Sequence, residues 1–158
     1  MNTSYWLVKS EPSAYSFADL ISEENMTAEW DGVRNYTARN NMQKMKVGDK
    51  VLFYHSMIVP PQVVGTTVVV REAYPDDTAW DPSSEHPDPK STPEKPIWFM
   101  VDLKAKAKMK SPVTLKDVKA HPMLQDMALV KFSRLSVQPV TKSEWDCILN
   151  LGDPEDLN

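Results

Sequence analysis

The chain has 158 residues, of which 41% are hydrophobic, and this is enough apolar material for the core of one compact domain. Its formal net charge is −4. The acidic balance excludes the broad basic face that wraps a long duplex, although it allows a grip on one or two nucleotides. The apolar runs fall well short of the ~20 residues that span a membrane, and the one cysteine, Cys147, excludes an internal disulfide.

Short strands and helices are predicted along the first half of the chain. The apolar run Tyr5–Val8 predicts a strand, and Ser16 has the capping-box spacing that starts a short helix. Asn35 is placed to cap a second helix. Strands are expected over 50–55 and 63–71, which are rich in valine and aromatic residues. One face of the second helix is predicted to hold Ala38, Met42 and Met45.

Residues 74–96 differ from the segments around them. They carry six of the 13 prolines and seldom alternate apolar with polar residues. A long surface loop is therefore predicted, and loops of this length are uncommon unless they are functional or flexible. The carboxylates of Asp76, Asp77 and Asp81 are expected to be solvated there.

The second half of the chain returns to short elements. Strands are predicted over 97–103 and 134–140, and helix starts at Thr114, Pro122 and Thr141. The order of elements is mixed rather than alternating, which favours an α+β fold with a largely antiparallel sheet or barrel. The strand patterns predict a core that includes Trp6, Leu7, Val51, Phe53 and Val68.

The segment from Glu29 to Tyr36 concentrates groups that hold a nucleobase. Trp30 offers a face for stacking, Asn35 a paired donor and acceptor, and Arg34 a cation for phosphate. Gly32 permits a tight bend between them. A structural alternative explains the same residues as a buried tryptophan beside a turn, followed by a helix cap.

Polar residues follow several predicted strands. His55 and Ser56 end one strand, and 9–12 ends the first strand in the same way. Arg134, Ser136 and Gln138 are predicted to share one face of the last strand. His55 could act as a base, but no acid or nucleophile is fixed beside it in sequence. We expect no metal site and no cofactor, since the three histidines are scattered and no His or Cys pair has ligand spacing.

Four blocks stand in a fixed order along the chain: YWLVKSEP, WDGVRNYTARN, VLFYHS and RLSVQPV. EAYPDDTAWDP and DPKS lie between the last two. Together these blocks resemble the EVE domain over nearly the whole chain, from residue 4 to about 151 of one domain that spans 1–158. The resemblance implies an α+β fold with a PUA-like, mixed, largely antiparallel β-barrel and flanking short helices, related to the YTH and PUA folds.

The resemblance also implies a pocket for a modified base, either a modified cytosine in DNA or a methylated base in RNA. By this analogy Trp30 stacks on the base, while Asn35 and two serines bond its edge. The implied pocket residues are Ser10, Trp30, Val33, Asn35, Tyr54 and Ser56. The implied contacts to the nucleic-acid backbone are Lys9, Arg34, Arg39, His55 and Arg134. One departure is Pro60-Pro61-Gln62, where many members carry Pro-Gly.

Three functions follow from these observations. The first is a monomeric, non-enzymatic module that binds nucleic acid carrying a modified base. The second is an enzyme acting on modified nucleotides with Glu11 or His55 as general acid or base, although such a group needs a partner that orients it or shifts its pKa. The third is a small-molecule-binding domain that uses the same pocket. The expected location is the cytoplasm, or the nucleus if the source is eukaryotic.

Overall fold

The computed structural model describes residues 3–157, so residues 1, 2 and 158 of the predicted domain lie outside it. Within that range the chain forms seven strands, namely β1 (Tyr5–Ser10), β2 (Thr27–Glu29), β3 (Lys50–His55), β4 (Gln62–Pro75), β5 (Phe99–Thr114), β6 (Val137–Val140) and β7 (Pro154–Asp156). The same residues hold five α-helices, namely α1 (Phe17–Ser22), α2 (Tyr36–Lys44), α3 (Leu115–Ala120), α4 (Ala128–Lys131) and α5 (Lys142–Gly152). None of these helices is long and apolar enough to cross a membrane.

The strands form one sheet in the order β2-β5-β4-β3-β1-β6, and β7 pairs with β5. All pairs are antiparallel except β1 and β3, which run parallel. In the parallel pair Ser10 lies opposite His55, so both strands end at the same edge of the sheet. The predicted α+β class with a largely antiparallel sheet is confirmed.

The predicted barrel is not confirmed, because the sheet does not close. Its two end strands, β2 and β6, do not pair with each other in residues 3–157. Helix α2 lies against both β5 and β6. On one side Asn41 Nδ2 donates to the Val137 carbonyl oxygen over 2.7 Å, and on the other Arg39 Nη1 donates to the Ile97 carbonyl oxygen over 2.9 Å. Helix α2 thus packs beside the end strand β6, where a further strand pairing would be needed to close the sheet.

The core lies on both faces of the sheet, in two clusters of buried residues. The fifth predicted core residue, Val68, is only half-buried, whereas Val69 is fully buried. The pairing of β4 with β5 shifts register between Thr66 and Thr67, and such a shift changes which side chains point inward. The other four predicted core residues are buried, namely Trp6, Leu7, Val51 and Phe53.

The predicted caps are confirmed. Ser16 and Thr141 form capping boxes at α1 and α5, and Thr114 caps α3. The predicted last strand is too long, since β6 begins at Val137 and Arg134 lies in the preceding turn.

The turn before β6 also removes the shared face predicted for Arg134, Ser136 and Gln138. Gln138 is fully buried and its Nε2 donates to the carbonyl oxygens of Phe132 and Leu135. Arg134, by contrast, is exposed. The side chain of Gln138 therefore stabilises the turn instead of facing solvent.

Candidate functional site

A cavity of about 580 Å³ opens where β1 ends. The segment 28–34, which begins in β2, forms one wall, and the Pro-rich loop contributes Glu85 and His86. Three of the six predicted pocket residues line the cavity, namely Ser10, Trp30 and Val33. Two of the predicted backbone contacts, Lys9 and Arg34, line it as well.

Trp30 belongs both to the cavity wall and to the core. Its residue is 8% exposed, and its ring meets Phe53 edge-on with 5.3 Å between centroids. Tyr15 approaches the same ring at 6.2 Å, again edge-on. The backbone N–H of Trp30 donates to the Val101 carbonyl oxygen over 2.7 Å, which fixes the segment to β5. Trp30 is therefore the buried tryptophan of the structural alternative, and it also lines the cavity; its stacking on a base stays a prediction.

The buried carboxylate of Asp76 joins the Pro-rich loop to this wall. Its Oδ2 accepts from the Gly32 backbone N–H over 2.9 Å and from Arg34 Nη1 over 3.0 Å, and its Oδ1 accepts from the Thr78 backbone N–H over 3.0 Å. Burial alone would raise the pKa of this carboxyl, but the hydrogen bonds from Thr78, Gly32 and Arg34 outweigh that effect and lower it. The expectation of a solvated charge is wrong for Asp76.

Arg34 uses all of its donors on the protein. A guanidinium has five N–H donors, and two of them reach the His86 carbonyl oxygen. Two more, both on Nη1, reach the Val33 carbonyl oxygen and Asp76. The fifth approaches Thr78 Oγ1 at 3.3 Å. No donor remains for a phosphate, so the structure gives Arg34 the role of a clamp on the loop.

The Pro-rich loop is consequently an ordered wall of the cavity. It follows prediction in being mostly irregular, since it contains only the end of β4 and a 3₁₀ turn at Asp77–Trp80. It departs from a plain surface excursion because Ala79 and Ser91 are buried. Trp98, just after the loop, donates from its indole to Asp88 Oδ2 over 2.7 Å, which holds the far end of the loop.

Asp31 and His86 lie next to each other in the lining of the cavity. The His86 Nε2 atom lies 3.7 Å from Asp31 Oδ1. Gly32 has a φ of +80°, and a Cβ there would meet the His86 ring at 2.7 Å, so only glycine allows this close approach. Burial raises the pKa of Asp31 above its ordinary value, although 41% of its side chain remains exposed to solvent.

The cavity is rich in hydrogen-bond acceptors and poor in cations. Among residues 3–157, Lys9 and the fully engaged Arg34 are the Lys and Arg side chains that line it, and Lys9 Nζ already donates to the Ser133 carbonyl oxygen over 2.7 Å. Five carboxylates line it, namely Glu11, Glu23, Glu29, Asp31 and Glu85. An interior of this kind suits a planar group that carries amino donors rather than a phosphate.

Asn35 and Arg134 lie at a separate groove of about 620 Å³ between α2 and the turn before β6. Asn35 Oδ1 accepts from the Ala38 backbone N–H over 2.9 Å, so its side chain caps α2. Arg134 is exposed and lies beside the exposed ring of Phe132. Lys9, which lines the cavity, donates to Ser133 in the same turn. Ser133 lines the groove, so this turn lies between the groove and the cavity.

The remaining predicted site residues lie outside the cavity lining. Tyr54 is buried in the core on the other face of the sheet, where burial raises its pKa to about 12. Ser56 donates its backbone N–H to the Ser10 carbonyl oxygen over 2.9 Å. Arg39 is held by Ile97 and lies 4.9 Å from the ring of Tyr36.

His55 has a structural role in this fold. Its Nε2 accepts from the Phe17 backbone N–H over 3.1 Å, and burial lowers its pKa. Glu11, the other residue considered as a general acid or base, is exposed at the cavity rim. Within residues 3–157 no group of three His, Cys, Asp or Glu side chains is placed to hold a metal ion.

Sequence reasoning overlooked Asp31, Asp76 and His86 as site residues. A signal for the loop was present, because EAYPDDTAWDP is one of the ordered blocks. The block becomes part of the site through the contact between Arg34 and Asp76, which are 42 residues apart in the chain. Residue spacing within the block does not reveal that contact.

Known proteins match this chain over nearly its whole length. The model of the EVE domain matches residues 4–151. Mouse thymocyte nuclear protein 1 is 41% identical over 170 residues, which cover 97% of this chain and 75% of the mouse protein. A hypothetical protein from Leishmania major has a structure that is 52% identical, with a TM-score of 0.92 and 96% of each chain covered. The human THYN1 protein, solved in complex with 5-methylcytosine containing DNA, is 38% identical, with a TM-score of 0.92 and coverage of 97% and 99%.

Proposed function

This chain belongs to the EVE domain family, and we propose that it is a nucleic-acid-binding module that holds a modified cytosine in the cavity beside Trp30 and catalyses no reaction. The proposal is supported by the DNA that its human relative binds. It is carried by one observation in this chain, namely that the indole of Trp30 and the carboxylate of Asp31 line the same cavity.

The carboxylate-rich lining favours a base with an exocyclic amine. Cytosine carries its N4 amino group on the edge where thymine carries a carbonyl oxygen, and Asp or Glu accepts from that amine. In this proposal Asp31 accepts from N4, and a thymine in the same place would set its oxygen against the carboxylate. The apolar side of the cavity at Trp30 and Val33 takes the ring and its 5-methyl group.

The methyl group sets the expected size of the discrimination. Burying one carbon of this size contributes about 0.8 kcal/mol, which corresponds to about a fourfold preference for 5-methylcytosine over cytosine. The cavity is reached only by a base that has left the stack, so the protein must take single-stranded nucleic acid or flip the base out of a duplex. The name of the mouse relative, thymocyte nuclear protein 1, supports the nucleus as the place of action.

The test is a panel of oligonucleotides that differ at one position: cytosine, 5-methylcytosine, thymine or N6-methyladenine, in DNA and in RNA. Fluorescence anisotropy should rank 5-methylcytosine DNA first and thymine DNA well below cytosine DNA. Equal affinity for all four bases would overturn the proposal, and N6-methyladenine RNA in first place would assign a different ligand. Recovery of every oligonucleotide unchanged, by mass spectrometry, tests the absence of catalysis.

Asp31→Ala separates base reading from general binding. It should reduce the preference for cytosine over thymine by at least about tenfold, since a hydrogen bond to a charged group contributes about 1.5–3 kcal/mol. Stability should change little, because the Asp31 side chain is 41% exposed and surface substitutions usually change it by no more than about 0.5 kcal/mol. Glu24→Ala, an exposed acid outside the cavity lining, is the matched control.

A further inference from the structure

The connection between β3 and β4 presents an exposed apolar tip, Ser56–Pro61. Val59 is 94% exposed and Met57 81%, and Ile58 lies between them at 43%. Neither an acidic nor a basic residue occurs from Val51 to Val70, apart from His55. Apolar side chains this exposed and this close together mark a contact surface for a partner.

The tip is held at both of its ends. The backbone N–H of Ser56 donates to the Ser10 carbonyl oxygen over 2.9 Å, and the Pro61 carbonyl oxygen accepts from the Leu115 backbone N–H over 2.9 Å. Gln62 then pairs with His55 and with Thr114 on either side. The apolar side chains are thus presented by a firmly anchored base.

The position of the tip relates it to the cavity. Ser10 lines the cavity and also accepts the hydrogen bond that anchors Ser56. Because β1 and β3 are parallel and end opposite each other, the tip leaves the sheet at the edge where the cavity opens. The tip therefore lies next to the place where a base from a duplex would enter the cavity.

We propose that Met57 and Val59 form a wedge that enters the base stack of a duplex where the modified cytosine has left it. Removing a base leaves its neighbours unstacked and its partner unpaired, and apolar side chains such as Met, Ile and Pro are the groups that proteins insert between base steps. An uncharged tip suits the interior of the stack, where a charge would be desolvated. This inference rests on the proposed function and extends it to duplex DNA.

The experiment compares a duplex that carries one 5-methylcytosine with the same modified strand alone. Met57→Asn combined with Val59→Thr makes the tip polar, since asparagine tolerates the positive φ of 55° at Met57. This variant should bind the duplex at least about tenfold more weakly and the single strand as wild type does, because unstacking costs more than one decade of affinity. Val59→Ile, which keeps the tip apolar, should retain duplex binding.

The controls distinguish failure of the wedge from failure of the proposed binding of a modified cytosine. Met123→Asn changes another exposed methionine and should leave both affinities unchanged. If the double variant melts early, Val59→Thr alone carries the test, since it preserves the shape of the side chain. Equal losses on both substrates, or no loss on either, would overturn the wedge. Wild-type protein that binds the single strand but not the duplex would overturn the wedge alone, whereas binding to neither would overturn the proposed function and the wedge with it.

Discussion

Replacing Asp76 by asparagine tests whether the Pro-rich loop depends on one buried charge. The carboxylate has no solvent exposure, while the side chain of Arg34 is 20% exposed. Breaking a buried ion pair by removing one partner costs about 3–5 kcal/mol, and since Arg34 keeps some contact with water we expect a loss of about 2–4 kcal/mol in the free energy of unfolding. Asparagine must also turn its amide N–H₂ toward Gly32 and Arg34 or toward Thr78, all of which are donors.

Urea unfolding at neutral pH measures the loss, and Asp77→Asn, an exposed acid next to it, is the control. The pH dependence gives a second measurement. Because the pKa of Asp76 is lowered in the fold, its contribution is present above the ordinary value of 3.8 and is lost as the pH falls below it. The wild type should therefore lose stability in that range, and Asp76→Asn should lose less. An asparagine variant as stable as the Asp77→Asn control would refute the reasoning.

Three further outcomes are expected. Trp30→Ala should lower the free energy of unfolding by about 3–5 kcal/mol and weaken binding per folded molecule by about 1–3 kcal/mol. Trp30→Phe should have a smaller effect on both quantities. Calorimetry measures the stability and titration of the folded fraction measures the binding, and unchanged binding would contradict the stacking role. Asn35→Ala should cost about 1 kcal/mol as a lost helix cap and leave base preference unaltered, so altered preference in the panel would speak against it. Because burial lowers the pKa of His55, the free energy of unfolding should be full above 6.5 and fall as the pH drops through that value, and His55→Gln should flatten this dependence in melting curves.

Local signals predicted most of the elements, and distant contacts determined the site. The caps at Ser16 and Thr141 depend on residues three positions away, which a sequence displays directly. Val68 was assigned to the core because alternation cannot reveal a register shift in β4. Asp76 resembled every other loop carboxylate until the fold brought it to Gly32 and Arg34.

The cavity itself was only partly foreseen for the same reason. Trp30 was identified by residue type and by family resemblance, Val33 by the resemblance alone, and both line the cavity. The resemblance also implied Tyr54 and Ser56, but side chains alternate between the two faces of a strand, and Tyr54 packs on the opposite face. Asn35 was predicted to bond the edge of a base or to cap a helix, and its Oδ1 accepts the hydrogen bond that caps α2.

The place of β1 in the sheet governs when this protein can become folded. Strand β1 pairs with β3 on one side and, on the other, with Val137–Val140, which are synthesised much later. Pairings between such distant parts of a chain slow folding, and until synthesis reaches β6 one hydrogen-bonding side of β1 has no partner. Nascent chains therefore expose an open strand edge, which other chains can join. A fragment that stops before Val137 retains that edge permanently and is expected to aggregate.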